Sequence, residues 1–176
     1  FCRDFLNQNK ISFIDTYDLL FAIENHDDKN YSEDIKDNNV LKILSVADDL
    51  DAFGNIGIYR YAEIYLLRNI SYTELGKMIL ENVSARYKNF TIVCKKNNNI
   101  INRHSERYNQ LTGFFKSYNR SVKNYEFDNR VPRGYCGVIN IISMIINNIY
   151  SYKQAIEVFS NHNDEIIRSF FTCLKT

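Results

Sequence analysis

Residues 46–61 read VADDLDAFGNIGIYRY and place three aspartates among apolar residues, followed by two glycines. From residue 40 to residue 52 apolar side chains recur every three or four positions, which is the spacing of one helical face. That buried face would consist of Leu41, Leu44, Ala47 and Leu50. Gly54 and Gly57 interrupt the pattern. A helix over Val40 to Ala52 and another over Gly57 to Arg68 are therefore predicted.

Helical periodicity continues along most of the chain. Ser71 with Glu74 three residues later is a capping-box start for a further helix. Phe90 to Cys94 is a short β-like run, and Asn129 to Gly137, which contains the single proline, is a predicted loop. The other helices are expected over residues 11–24, 71–88, 102–125, 137–160 and 164–174. The sequence therefore predicts an all-α fold with almost no strand.

The aspartates of the quoted segment are the first candidates for chemistry. Asp48 and Asp51 are three residues apart, so both project from one side of a helix. Two carboxylates on one face suit a divalent cation, and Arg60 could hold a phosphate through two hydrogen bonds. On the residues alone, a solvated helix face or a helix cap is the favoured interpretation of these acids.

The segment Ala47 to Arg60, ADDLDAFGNIGIYR, resembles the late metal-ligand segment of HD-superfamily metal-dependent phosphohydrolases, whose general form is A-D-x-L-D-A-φ-G-x-x-G-φ-x-R. The resemblance implies that Asp48 is a metal ligand and that Asp51 lines the same cavity as a catalytic residue. It also implies that Arg60 approaches the substrate phosphate. The cofactor implied is a divalent metal ion such as Mn²⁺, Mg²⁺ or Fe²⁺.

A second segment, Phe21 to His26, resembles the helix end that precedes this motif in the family. The resemblance implies that His26 is a metal ligand or a phosphate contact, whereas an exposed histidine that ends a helix is the alternative. His26 and Asp27 spell "HD", but they lie too close to Asp48 to be the dyad that names the family. The earlier His and His-Asp motifs are therefore expected before Phe1.

The resemblance covers roughly half of an HD domain. Residues 1–90 are interpreted as the C-terminal half of an HD-like helical bundle, and residues 91–176 as a helical extension packed on it. The expected function is a portion of a phosphohydrolase that acts on a phosphate ester or nucleotide through metal-activated water, inactive as this chain alone. The alternative is a non-catalytic helical interaction module on a degenerate HD scaffold.

Composition limits the partners. The formal net charge is +1, so no general attraction to nucleic acid is expected. The longest apolar run, Val138 to Tyr150, is shorter than the roughly 18 residues of a membrane span and contains three asparagines, so no membrane partner is expected. The first residues lack a signal-peptide pattern, which favours a cytoplasmic protein. Numerous aromatic residues would suit a homodimer interface.

The four cysteines lack CxxC spacing and are expected to be free thiols. Cys136 follows Arg133 at a predicted helix start, where a thiol of lowered pKa could pair with His162 as a nucleophile. A structural loop is the simpler interpretation of this segment.

Overall fold

The computed structural model describes residues 2–10, 16–26, 39–127 and 131–175, and these ranges contain nine α-helices and no strand. The prediction of an all-α fold is confirmed. The helices are α1 (Cys2–Gln8), α2 (Thr16–Asn25), α3 (Asn39–Asp51), α4 (Gly54–Leu67), α5 (Tyr72–Val93), α6 (Asn98–Ser121), α7 (Gly134–Ile146), α8 (Tyr152–Phe159) and α9 (Glu165–Cys173). The start of the first predicted helix, at residues 11–15, lies outside the described residues.

Helices α5 and α6 form a long hairpin on which α4 packs. The predicted start of α5 is confirmed, since the Ser71 hydroxyl accepts a hydrogen bond from the Glu74 amide at 3.3 Å. The end of α5 differs from the prediction, because the run from Phe90, which was predicted to be β-like, forms the last turn of this helix. Phe90 is fully buried beside the Phe53 ring. This tertiary contact overrides the local β propensity of the run.

The predicted helix over 137–160 is in fact two helices, α7 and α8. Asn148 adopts a left-handed backbone conformation with φ of 60° and ends the first helix. Ser151 and Gln154 then form a capping box that starts the second. The predicted loop is also shorter than expected, because α7 already begins at Gly134.

One apolar core joins α4 to α9. Its largest fully buried side chains include Phe53, Phe90, Phe115, Tyr118 and Phe171. The proposed boundary at residue 90 falls inside α5, and core residues come from both sides of it. Separate domains at that boundary remain a prediction.

Helix α3 is rotated relative to the predicted register. Leu41, Ser45 and Asp49 form its buried side, whereas Ala47 is exposed. The expectation that Ala47 is buried was therefore wrong. Arg86 of α5 supplies the positive charge that allows the Asp49 carboxylate to face inward.

None of the helices within the described ranges combines the length and the apolar character needed to cross a bilayer.

Candidate functional site

The acidic end of α3 contacts Arg86 of α5. The Arg86 Nη1 atom lies 2.7 Å from Asp48 Oδ2 and 3.3 Å from Asp49 Oδ1, and it also contacts the Asp48 main-chain oxygen at 3.4 Å. The Asp49 side chain is completely buried, while those of Asp48 and Arg86 are 29% and 23% exposed. One guanidinium therefore holds two carboxylates at the boundary of the core.

A tyrosine and an asparagine complete this cluster. The Tyr61 hydroxyl donates to Asn82 Oδ1 at 2.8 Å, and Arg86 Nε donates to the same oxygen at 3.2 Å. Burial raises the pKa of Tyr61, so its hydroxyl remains a hydrogen-bond donor. Burial by itself lowers the pKa of Arg86, but Tyr61, Asp48 and Asp49 outweigh this effect and raise it. The arginine is therefore a permanent cation in this site.

A small cavity of about 50 Å³ opens beside the cluster. Asp48 and Arg60, which the family resemblance assigns to metal and phosphate, both line it, together with Tyr61 and Arg86. Two helices joined by a tight turn bring these residues together, since Asp48 lies near the end of α3 and Arg60 in the middle of α4. The cavity is large enough to hold water.

Asp51 does not line this cavity, contrary to expectation. It is the last residue of α3, and its carboxylate is 72% exposed and pairs with Arg60 Nη1 at 3.0 Å. Its side chain is therefore at the surface, where Arg60 is its ion-pair partner. Arg60 is itself 48% exposed, so this ion pair is solvated.

His26 ends α2 and is absent from the residues that line the cavity. Its Nδ1 atom lies 2.7 Å from the Ile23 main-chain oxygen, and its own main-chain oxygen accepts a hydrogen bond from the Ser45 hydroxyl at 3.2 Å. Ser45 lies one turn before Asp49 on the buried side of α3. The backbone of His26 is therefore attached to the helix that carries the acids, while Asp27 lies outside the described residues.

The described residues do not by themselves fit a divalent cation. Within the described ranges, no group of three or more histidine, cysteine, aspartate or glutamate side chains is arranged to hold a metal ion. Asp48 is the residue best placed to become a ligand, because it lines a cavity and is partly exposed. A metal ion at Asp48 would have to share that carboxylate with Arg86, which binds its Oδ2 atom.

Sequence reasoning missed Asp49 and Arg86 as the centre of the cluster. A signal for Arg86 exists, since it follows Val83 by three positions and precedes Phe90 by four, and both of those residues are buried. A charged residue on the apolar side of a helix requires a partner of opposite charge. Asp48 and Asp49, which are adjacent on α3, are acidic residues that could provide this partner.

The reactive-thiol interpretation of Cys136 was wrong. Its side chain is 1% exposed and donates a weak hydrogen bond to the Tyr118 main-chain oxygen at 3.9 Å. Burial raises the pKa of the Cys136 thiol to about 11, which disfavours the thiolate. The predicted partner His162 instead accepts a hydrogen bond at Nδ1 from the Asp164 amide. Cys94 is also a free thiol.

Comparison of the chain with protein-family models, curated proteins and solved structures gives no match. The resemblance of residues 47–60 to the HD superfamily therefore rests on those residues alone.

Proposed function

We propose that this chain contributes Asp48 to an HD-type phosphohydrolase site whose remaining metal ligands lie outside the described residues. As an isolated chain it does not turn over phosphate esters. The observation that carries the proposal is that Asp48 and Arg60, assigned to metal and phosphate by the resemblance, line one cavity. The ligand class is a small phosphorylated molecule, with nucleotides as the leading candidates.

Two features support inactivity of the isolated chain. The Asp48 carboxylate is held by Arg86 at 2.7 Å, and its surroundings raise the pKa of Arg86, so the guanidinium stays charged. Arg60 is paired with Asp51, so a phosphate would compete with a carboxylate for it. No catalytic step is assigned to these residues alone.

The experiment combines an activity assay with a binding measurement. Wild-type protein and Asp48→Asn are incubated with Mn²⁺ and either p-nitrophenyl phosphate or nucleoside phosphates, and released phosphate is measured. We expect no turnover from either protein. Turnover by wild type that Asp48→Asn abolishes would show that the isolated chain is a complete enzyme.

Metal contact is measured separately by nuclear magnetic resonance. Millimolar Mn²⁺ is added to ¹⁵N-labelled protein, and we expect paramagnetic broadening centred on the end of α3 that is lost in Asp48→Asn. Asp51→Asn is the matched control, because it removes an exposed carboxylate of the same helix that does not line the cavity. Broadening that follows Asp51 rather than Asp48 would contradict the proposal.

A second candidate is a non-catalytic helical interaction module on an HD-like scaffold. The three contacts of Arg86 with Asp48 and Asp49 favour it, because an ion pair there already joins α3 to α5 without a metal. This candidate predicts no Mn²⁺-dependent broadening at Asp48 at any concentration of the ion. The same titration therefore distinguishes the two functions.

A further inference from the structure

A second and much larger opening lies on another part of the surface and shares no lining residue with the Asp48 cavity. This groove has a volume of about 490 Å³, within the range of small-molecule sites in proteins. One side is the face of α6 that carries Asn109, Gly113 and Ser117, spaced four residues apart. The opposite side is the face of α9 that carries Glu165 and Ser169.

The floor of the groove is aromatic. Phe114 of α6 and Phe170 of α9 meet with ring centroids 5.9 Å apart, and Tyr135 packs edge-on against Phe114 at 5.2 Å. The two phenylalanines are almost completely buried, while Tyr135 is half-buried. The floor therefore offers an apolar surface with a partly accessible aromatic ring.

Gly113 keeps the centre of the groove open. A Cβ atom added at this residue would meet no atom within 4 Å, so close packing does not require a glycine. Glycine in the interior of a helix costs roughly 0.5–1 kcal/mol relative to alanine. The absence of a side chain here leaves space between Asn109 and Ser117 that a ligand can occupy.

The charge of the residues that line the groove indicates which class of ligand it binds. Among the described residues that line the groove, Glu165 is the only charged one, and lysine and arginine are absent. Within the described ranges the Glu165 carboxylate makes no ion pair or hydrogen bond. A groove lined by one carboxylate, aromatic rings and neutral hydrogen-bonding groups suits a cationic ligand and disfavours phosphates and carboxylates.

We propose that the groove between α6 and α9 binds a small organic amine, with its ammonium group near Glu165 and its apolar body on the Phe114, Phe170 and Tyr135 floor. Hydroxyl and amide groups of Asn109, Ser117 and Ser169 provide hydrogen bonds around it. The site is independent of the function proposed for Asp48.

The test uses three probes of similar size and different charge on the ¹⁵N-labelled chain of residues 1–176. These are 2-phenylethylamine, 2-phenylethanol and 3-phenylpropionate, titrated separately while amide chemical shifts are recorded. We expect the amine to shift amides of α6 and α9 and to bind roughly tenfold more tightly than the acid. Equal affinities for the amine and the acid would overturn the proposal.

Two variants test where on the protein the amine binds. Gly113→Leu fills the groove and is expected to abolish the shifts, and Glu165→Gln is expected to reduce the affinity for the amine to that for the alcohol. Glu157→Gln is the matched control, because it removes an exposed carboxylate on α8 that does not line the groove. Binding of the amine that survives Gly113→Leu, or that falls equally in Glu157→Gln, would overturn the proposal.

Discussion

At the level of single residues, two arginine–aspartate contacts of similar chemistry lie close together in very different surroundings. Arg86 holds Asp49, which is completely buried, and Arg60 holds Asp51, which is 72% exposed. Removing one partner of a buried pair leaves an uncompensated charge, whereas an exposed pair contributes little because water replaces the partner. The same substitution at the two arginines should therefore have very different effects.

Arg86→Met is expected to lower the free energy of unfolding by about 3–5 kcal/mol, because the completely buried Asp49 then loses its ion pair with Arg86. Arg60→Met is the matched control, and its effect should stay below about 1 kcal/mol. Urea denaturation followed by circular dichroism measures both. Similar losses in the two variants would show that Arg86 does not compensate a buried charge.

The double variant Arg86→Met, Asp49→Leu refines this measurement. If the loss of stability in Arg86→Met comes from the Asp49 carboxylate without the Arg86 charge, replacement of Asp49 should restore a large part of the stability. A double variant as unstable as the sum of the two single variants would instead indicate that Arg86 acts through packing of its side chain.

At the level of elements, the junction between α3 and α4 determines where the candidate site residues lie. Gly54 has a φ of 75°, a conformation that favours glycine. Gly57 lies so close to the Ala52 carbonyl group that a Cβ atom would overlap it, and the same atom would meet Leu111 at 3.0 Å. The junction is also held from α6, where Arg107 Nη2 donates to the Phe53 main-chain oxygen at 2.8 Å.

Gly57→Ala is expected to destabilise the protein by about 1–3 kcal/mol, because the backbone of the junction must move to admit the methyl group. Gly113→Ala is the control in the interior of α6, where the methyl group enters open space. It should stabilise the protein by roughly 0.5–1 kcal/mol. Thermal unfolding of the two variants separates them by opposite shifts in Tm, and shifts of the same sign would contradict this description of the junction.

At the level of the whole molecule, helices from α4 to α9 share one core. Tyr118 of α6 connects two regions of it, because its hydroxyl donates to the Tyr72 main-chain oxygen at 2.7 Å and its main-chain oxygen accepts from Cys136. The start of α7 is also joined to α9, since the Gly134 amide donates to Asp164 Oδ2 at 2.9 Å. The contact between Tyr118 and Tyr72 crosses the proposed boundary at residue 90.

Residues on both sides of that boundary are therefore expected to unfold together. Far-ultraviolet circular dichroism and the fluorescence of the core tyrosines should give coincident denaturation curves, and the calorimetric and van't Hoff enthalpies should agree. Two separate transitions would instead support independent domains at 1–90 and 91–176.

Local sequence was sufficient for the features that depend on neighbouring residues. Apolar periodicity predicted α3, α4 and α6 to within a few residues, and Ser71 with Glu74 predicted the start of α5. The division between α7 and α8 was missed, although the capping box at Ser151 and Gln154 is a local signal. The helical end of α5 could not be predicted locally, because it depends on the contact of Phe90 with Phe53.

The residues of the candidate site also divide into those that local sequence predicts and those that depend on tertiary contacts. The sequence by itself determined that Asp48, Asp51 and Arg60 lie near one junction, because a helix, a tight turn and a second helix allow little else. Only the tertiary structure decided that Asp49 is the buried acid and that Arg86, 37 positions away, is its partner. Periodicity determines which residues of a helix share a face, but the rotation of that helix about its own axis depends on the groups that other helices present. For α3 the cation on α5 turns the carboxylate of Asp49 inward.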